Sequence, residues 1–131
     1  MSQKIKGTNA ERDLVHLFWS AKWAAIRVAG SGSSKYPSPD VIASNNIRKL
    51  AIECKTTKKT SQYFEKKEIQ ELKLFAETFG AEAYVAIRFP KQPWLFIILE
   101  DLNELPKSHS ISLKKAQNRG LTFEEVIQKP L

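Results

Sequence analysis

Three ionisable residues, Asp40, Glu53 and Lys55, have the types and spacing for hydrolytic chemistry if folding makes them neighbours. In an extended strand successive side chains point to opposite faces, so Glu53 and Lys55 project together. In the run Leu50 to Thr56 the other parity carries Leu50, Ile52 and Cys54, which suit a packed core. Two adjacent carboxylates repel unless a cation lies between them. Hard divalent ions, Mg2+ or Mn2+ as its substitute, prefer such oxygen ligands and keep waters for chemistry. An amine beside them, Lys55, would orient or deprotonate an attacking water or stabilise charge on a phosphorane. The chemistry implied is metal-assisted cleavage of a phosphodiester.

Bringing these groups together requires particular elements. Asp40 opens the extended segment Asp40 to Ser44, and Asn45-Asn46 before Ile47 reads as a tight turn into Lys49 to Ala51. The resulting hairpin sets Asp40 and Glu53 side by side near its open end. Upstream, Thr8-Asn9-Ala10-Glu11 fits a capping box that predicts a helix starting at Thr8, with Leu14, Val15, Leu17 and Phe18 as its buried stripe. Glu11 falls on the side of that stripe. By local criteria it is a helix cap or a third carboxylate, and one role does not exclude the other. Ala24 to Ala29 reads as a strand whose Arg27 either meets phosphate through its bidentate fork or is a surface arginine at a strand edge.

Between that strand and Asp40 lies the glycine- and serine-rich loop Gly30 to Pro39, in which Ser31, Ser33, Ser34 and Lys35 are candidates to approach a phosphate. Ten residues is long for a plain connection in a compact domain. Lys58 and Lys59, followed by the polar turn Thr60-Ser61-Gln62, suggest a second edge that contacts phosphates.

Taken together, Pro39-Asp40 and Glu53-Cys54-Lys55 resemble the signature of the PD-(D/E)xK nuclease superfamily. Their setting is more specific: Gly7 to Arg12 opening the first helix, Arg27 to Ser33 after it, and Ala81 to Phe89 following a helix that ends at Gly80. That arrangement resembles the archaeal Holliday-junction resolvases over nearly the whole chain. The resemblance implies an α/β, restriction-endonuclease-like fold, with a central mixed sheet of about five strands flanked by helices. It also implies a homodimeric, Mg2+-dependent endonuclease that places paired nicks in four-way DNA junctions. Carried over by motif, Glu11, Asp40 and Glu53 would be the metal ligands and Lys55 the catalytic lysine. Arg12 and Arg27 match basic positions of the family's site, and Ser31 and Ser33 lie in its loop, which serine meets phosphate being left open.

Composition sets wider bounds. At 131 residues the chain reads as a single nuclease domain, 1–131, large enough to bury a core without metals or disulfides. The one cysteine, Cys54, excludes an intrachain disulfide and a multi-cysteine zinc site, which fits a reducing cytoplasm. No apolar run approaches membrane-spanning length, and the start of the chain lacks a signal-peptide core. Lys plus Arg outnumber Asp plus Glu by 21 to 14, a formal charge of +7, which favours a polyanionic partner.

The rest of the chain reads as scaffold. A helix over about Lys66 to Phe79, stopped by Gly80, is assigned to packing, and Ala83 to Phe89 and Trp94 to Leu99 read as strands. The last is apolar at both parities, so both of its faces need cover, one from helices and the other from a second subunit, with Trp94, Phe96 or their neighbours in a twofold interface. Ser110 to Leu113 reads as a short strand, Thr122 to Glu125 as a second capping box, and His16 and His109 as surface residues. Two other functions fit the same residues: a superfamily nuclease of restriction or repair type, or a DNA-binding module that keeps the fold without cleaving.

Overall fold

The computed structural model describes residues 3–30, 33 and 35–130. A helix, α1 (Gln3–Ser20), is followed by β1 (Ala24–Arg27), β2 (Val41–Ser44), β3 (Lys49–Thr56) and β4 (Ser61–Glu65). Then come α2 (Lys66–Phe79), β5 (Glu82–Arg88), β6 (Trp94–Ile98), β7 (Asn103–Glu104), β8 (Ser108–Ser112), α3 (Leu113–Arg119) and α4 (Phe123–Gln128). The principal sheet has five strands in the order β1-β2-β3-β5-β6, with β3 and β5 parallel and the other neighbours antiparallel. The mixed five-stranded sheet is thus as expected. A three-stranded sheet, β4-β8-β7, is additional.

Alternation along the strands divides the core into two layers. Leu50, Ile52, Tyr84, Ala86, Trp94 and Phe96 pack with Leu14 and Phe18 of α1 and Phe123 and Val126 of α4. Ala51, Val85, Ile87, Leu95 and Ile97 pack instead with Ile69, Leu72 and Ala76 of α2, Ala116 of α3 and Ile111 of β8. Both faces of β6 are therefore covered by this chain's own helices: Trp94 is 5% exposed and Phe96 1%. This removes Trp94 and Phe96 from the expected twofold interface, while their neighbour Ile98 is 36% exposed. The outer edge of β6 is also engaged, since the Phe96 amide donates to the Leu121 carbonyl and the Leu121 amide to that of Phe96, each at 2.8 Å.

Two elements and the burial of one residue differ from those expected. The first helix starts at Gln3, not Thr8, because Gln3 to Lys6 are adequate helix formers and the Thr8 hydroxyl is drawn elsewhere, accepting from Arg27 Nη2 at 3.3 Å. The polar segment at Ser61 becomes β4 because β8 supplies its hydrogen bonds from far along the chain. His109 is half-buried on β8, with its Nδ1 enclosed. By contrast α2 has the expected limits, closed by Gly80 in the left-handed conformation (φ 81°). The Thr122 capping box opens α4 as expected, and His16 is exposed. No helix among the described residues is long and apolar enough to cross a membrane.

Candidate active site

The hairpin of β2 and β3 pairs Val41 with Ile52, so Asp40 and Glu53 are the next residues outward on adjacent strands. The turn spans four residues, Asn45 to Arg48. Asn45 Oδ1 accepts from the amides of Ile47 (3.0 Å) and Arg48 (2.7 Å), and Asn46 takes φ 84°. The far end is fixed by Arg48, 3% exposed, whose guanidinium forks onto Glu82 at 2.7 and 2.9 Å. It also donates to the carbonyls of Val126 (2.6 Å) and Lys129 (3.0 Å) and lies over the Trp23 ring.

At the open end Asp40 is held by hydrogen bonds to the backbone of its neighbours. Its amide donates to the Ile52 carbonyl (3.0 Å), its carbonyl accepts from the Val28 amide (2.8 Å), and its Oδ2 accepts from the Cys54 amide (2.9 Å). The carboxylate thus replaces the backbone acceptor that β3 would find had β2 continued. Pro39 precedes Asp40 and disfavours helical geometry before it, consistent with this extended approach. Asp40 is nearly fully buried as a result.

Glu53 projects on the α2 side, two residues from Ala51 in the same strand. Burial, and next the charge of Asp40, push its carboxyl pKa up to about 9. Glu11 comes from α1 on the other side of the sheet and is also raised, by burial and then by Asp40, against the pull of Arg27. Asp40 therefore sits at the rim where the two layers meet, within electrostatic reach of both glutamates. Glu11 is engaged by Arg27 at the end of β1, Nε to Oε1 at 2.9 Å. The helix and strand that bring them together are joined by only the short turn after Ser20.

Lys55 points with Glu53, and its Nζ lies 2.9 Å from Oε2 of Glu68 in the first turn of α2. Burial opposes its charge, but Glu68, then Glu53 and Asp40, outweigh burial and raise its pKa. Glu68 is held in turn, accepting from the Glu65 amide at 3.0 Å through Oε1. Burial works against its ionisation too, yet the Glu65 amide and Lys55 bring its pKa below the usual value. Sequence reasoning gave α2 packing alone and missed Glu68. The available signal was Glu65-x-x-Glu68 at a helix start, but nothing local says that this turn faces β3. Cys54 has its side chain in the α1 layer, as expected, and burial holds its thiol pKa well above normal.

The remaining candidates lie around this centre. Ser31 and Ser34 are outside the described residues. Ser33 is exposed, its hydroxyl donating to the Gly30 carbonyl at 3.2 Å. Lys35 is exposed with its ammonium 5.8 Å from the Tyr36 ring centre, and Arg12 is exposed on α1. Lys58 and Lys59, also exposed, line an open groove of about 670 Å³ with Lys6, Thr56, Arg88 and Lys91. Lys58 approaches Lys6 closely enough to lower that ammonium's pKa.

Among the described residues no three Asp, Glu, His or Cys side chains are gathered into a ready-made metal cluster. What the site does present is oxygen donors of like charge in a partly dehydrated setting, with Glu53 and Glu11 both made harder to ionise by Asp40. A hard divalent cation relieves that repulsion, so the donor set fits one. Bringing in Glu11 as a third ligand requires it to be shared with Arg27.

The family model for archaeal Holliday junction resolvase (Hjc) matches residues 2–131. The crossover junction endodeoxyribonuclease Hjc of Archaeoglobus fulgidus is 44% identical over 126 residues, 96% of this chain and 92% of that protein. The protein of the same name from Methanocaldococcus jannaschii is 40% identical over 122 residues, 93% of this chain and 86% of its own. The solved structure of A. fulgidus Hjc, described as a Holliday junction resolvase from an archaeal hyperthermophile, superposes with a TM-score of 0.87 at 40% identity. That match covers 96% of this chain and 98% of that one. The chain belongs to the archaeal Holliday junction resolvase (Hjc) family.

Proposed function

We propose that this chain is an endodeoxyribonuclease that resolves four-way DNA junctions by Mg2+-dependent phosphodiester hydrolysis, making paired nicks as a homodimer. The observation that carries the reading is the rim site itself: Asp40 fixed by the Cys54 amide, beside a Glu53 whose carboxyl is pushed up to about 9 by burial and by Asp40. Asp40 and Glu53 would hold the cation, with Glu11 as the third carboxylate. When bound, such an ion supplies Lewis acidity and makes water a competent nucleophile at neutral pH.

The chain's own residues do the rest. Asp40 keeps its orientation because backbone groups on both neighbouring strands hold it. Lys55 carries a positive charge beside the carboxylates, suited to orienting water or offsetting charge on the phosphorane. Arg27 holds Glu11 through Nε and the Thr8 hydroxyl through Nη2, tying the start of α1 to the end of β1. The groove of Lys6, Lys58, Lys59, Arg88 and Lys91 opens beyond Thr56, one residue past Lys55, and would follow a phosphate backbone leaving the site. Ser31, Ser33, Ser34, Lys35 and Arg12 complete the proposed contacts to DNA. Selectivity then comes from junction shape more than base sequence.

The test is a cleavage assay on a mobile four-way junction and on a linear duplex built from the same arms, run with Mg2+, with Ca2+ and with chelator. Nicking of the junction in Mg2+ alone, with preference over the duplex by orders of magnitude, is expected. Equal cleavage of both substrates would instead indicate a nuclease of restriction or repair type. Binding without cleavage under every condition would indicate a DNA-binding module.

A further inference from the structure

We infer that Glu68 is a positioning residue for cleavage, acting through Lys55; this rests on the proposed role of Lys55 above. Lys55 is a long side chain at the end of β3, with four rotatable bonds between its backbone and its charge. Left to itself the ammonium would sample many positions. In the structure Glu68 Oε2 holds Nζ at 2.9 Å, and both side chains are less than one-third exposed. Glu68 comes from a different element, so the contact is built by the packing of α2 against the sheet, through Ile69 and Leu72 beside Ala51 and Val85.

The other carboxylate oxygen of Glu68 is committed to the Glu65 amide at 3.0 Å. This contact fixes the carboxylate's plane, because rotation to release Lys55 would break a hydrogen bond at the helix start. Glu68 also lies close enough to Glu53 for its charge to help raise the Glu53 pKa, after burial and Asp40. One glutamate thus holds the Lys55 ammonium through one oxygen and is itself anchored to the helix start through the other. Glu104 illustrates the alternative. It pairs with Lys66 at the same distance, 2.9 Å, but is 75% exposed, so water competes for the pair and holds neither side chain in place.

Two roles of Glu68 can be separated by substitution. Glu68→Gln keeps an oxygen acceptor for the Glu65 amide, and so keeps the helix cap, while losing the charge that grips Lys55. Single-turnover cleavage of a four-way junction in Mg2+ is measured for wild type, Glu68→Gln and Lys55→Gln. Junction affinity is measured in Ca2+ and melting temperature in chelator. The expected result for Glu68→Gln is a rate lower by about 10- to 100-fold, the scale of a misplaced catalytic group, with affinity within about twofold and a melting temperature close to wild type. A rate equal to wild type overturns the inference, as does a lower rate accompanied by matching loss of affinity or of folding. If Lys55→Gln itself cleaves like wild type, the role given to Lys55 fails; if Lys55→Gln is inactive while Glu68→Gln is normal, only the inference about Glu68 fails.

Discussion

Replacing Glu53 with glutamine should change how stability depends on pH, in a way that isolates the acidic rim. The folded carboxyl is raised from 4.5 to about 9 by burial and by Asp40. The folded state therefore keeps a proton that the unfolded chain gives up, and its stability is greatest below the unfolded pKa. That contribution is lost as pH rises through the window from about 4.5 to about 9. Each unit of pH within it costs about 1.4 kcal/mol. Between pH 6 and 8.5 the wild-type protein should lose about 3 kcal/mol relative to Glu53→Gln, which has no proton to release. For a chain of this size that corresponds to roughly 10 °C in melting temperature. The assay is thermal melting of both proteins in chelator at half-unit pH steps. Other titrating groups are common to the two and cancel in the difference. Adding Mg2+ at pH 8.5 should stabilise the wild type and leave the variant largely unmoved. Parallel curves for the two proteins would refute the reasoning, because Glu53 would then be as solvated in the fold as in the unfolded chain.

Asp40→Asn should reduce single-turnover cleavage below detection while leaving junction affinity in Ca2+ within a few-fold, since asparagine can still accept from the Cys54 amide but carries no charge; retained turnover would remove Asp40 from the mechanism. Arg48→Ala should lower stability by about 3 kcal/mol, read by urea unfolding, because it strands Glu82 and two carbonyls behind a buried cation. Replacing Lys58 and Lys59 by alanine together should weaken junction binding irrespective of sequence and reduce the slope of log affinity against log salt by about 2. Sedimentation at micromolar concentration should give a dimer; a monomer would rule out paired nicking by a preformed pair.

How far the site was legible depended on how local its causes are. The hairpin and the parity of β3 follow from neighbouring residues, and so does the placement of Glu53 beside Asp40. The same holds for α2, whose periodicity and terminal Gly80 are written in one stretch. Thr8 misled because its pattern matched a cap, whereas its hydroxyl is used by Arg27 from another element. β4 was read as a turn because Ser61-Gln62 carries no apolar alternation; its strand geometry is imposed by β8. Trp94 and Phe96 implied a surface in need of cover, correctly, but not that α1 and α4 of the same chain provide it. Glu68 was out of reach for the same reason: its partner is chosen by how α2 lies on the sheet.

The hydrogen bond from the Cys54 amide to Asp40 makes the last rung of the β2-β3 ladder a side chain. Fraying of the sheet at this corner and dismantling of the acidic centre are consequently one event. Deuterium uptake at that single amide should therefore report the lifetime of the assembled centre, slowing when a cation is captured, without any cleavage being measured.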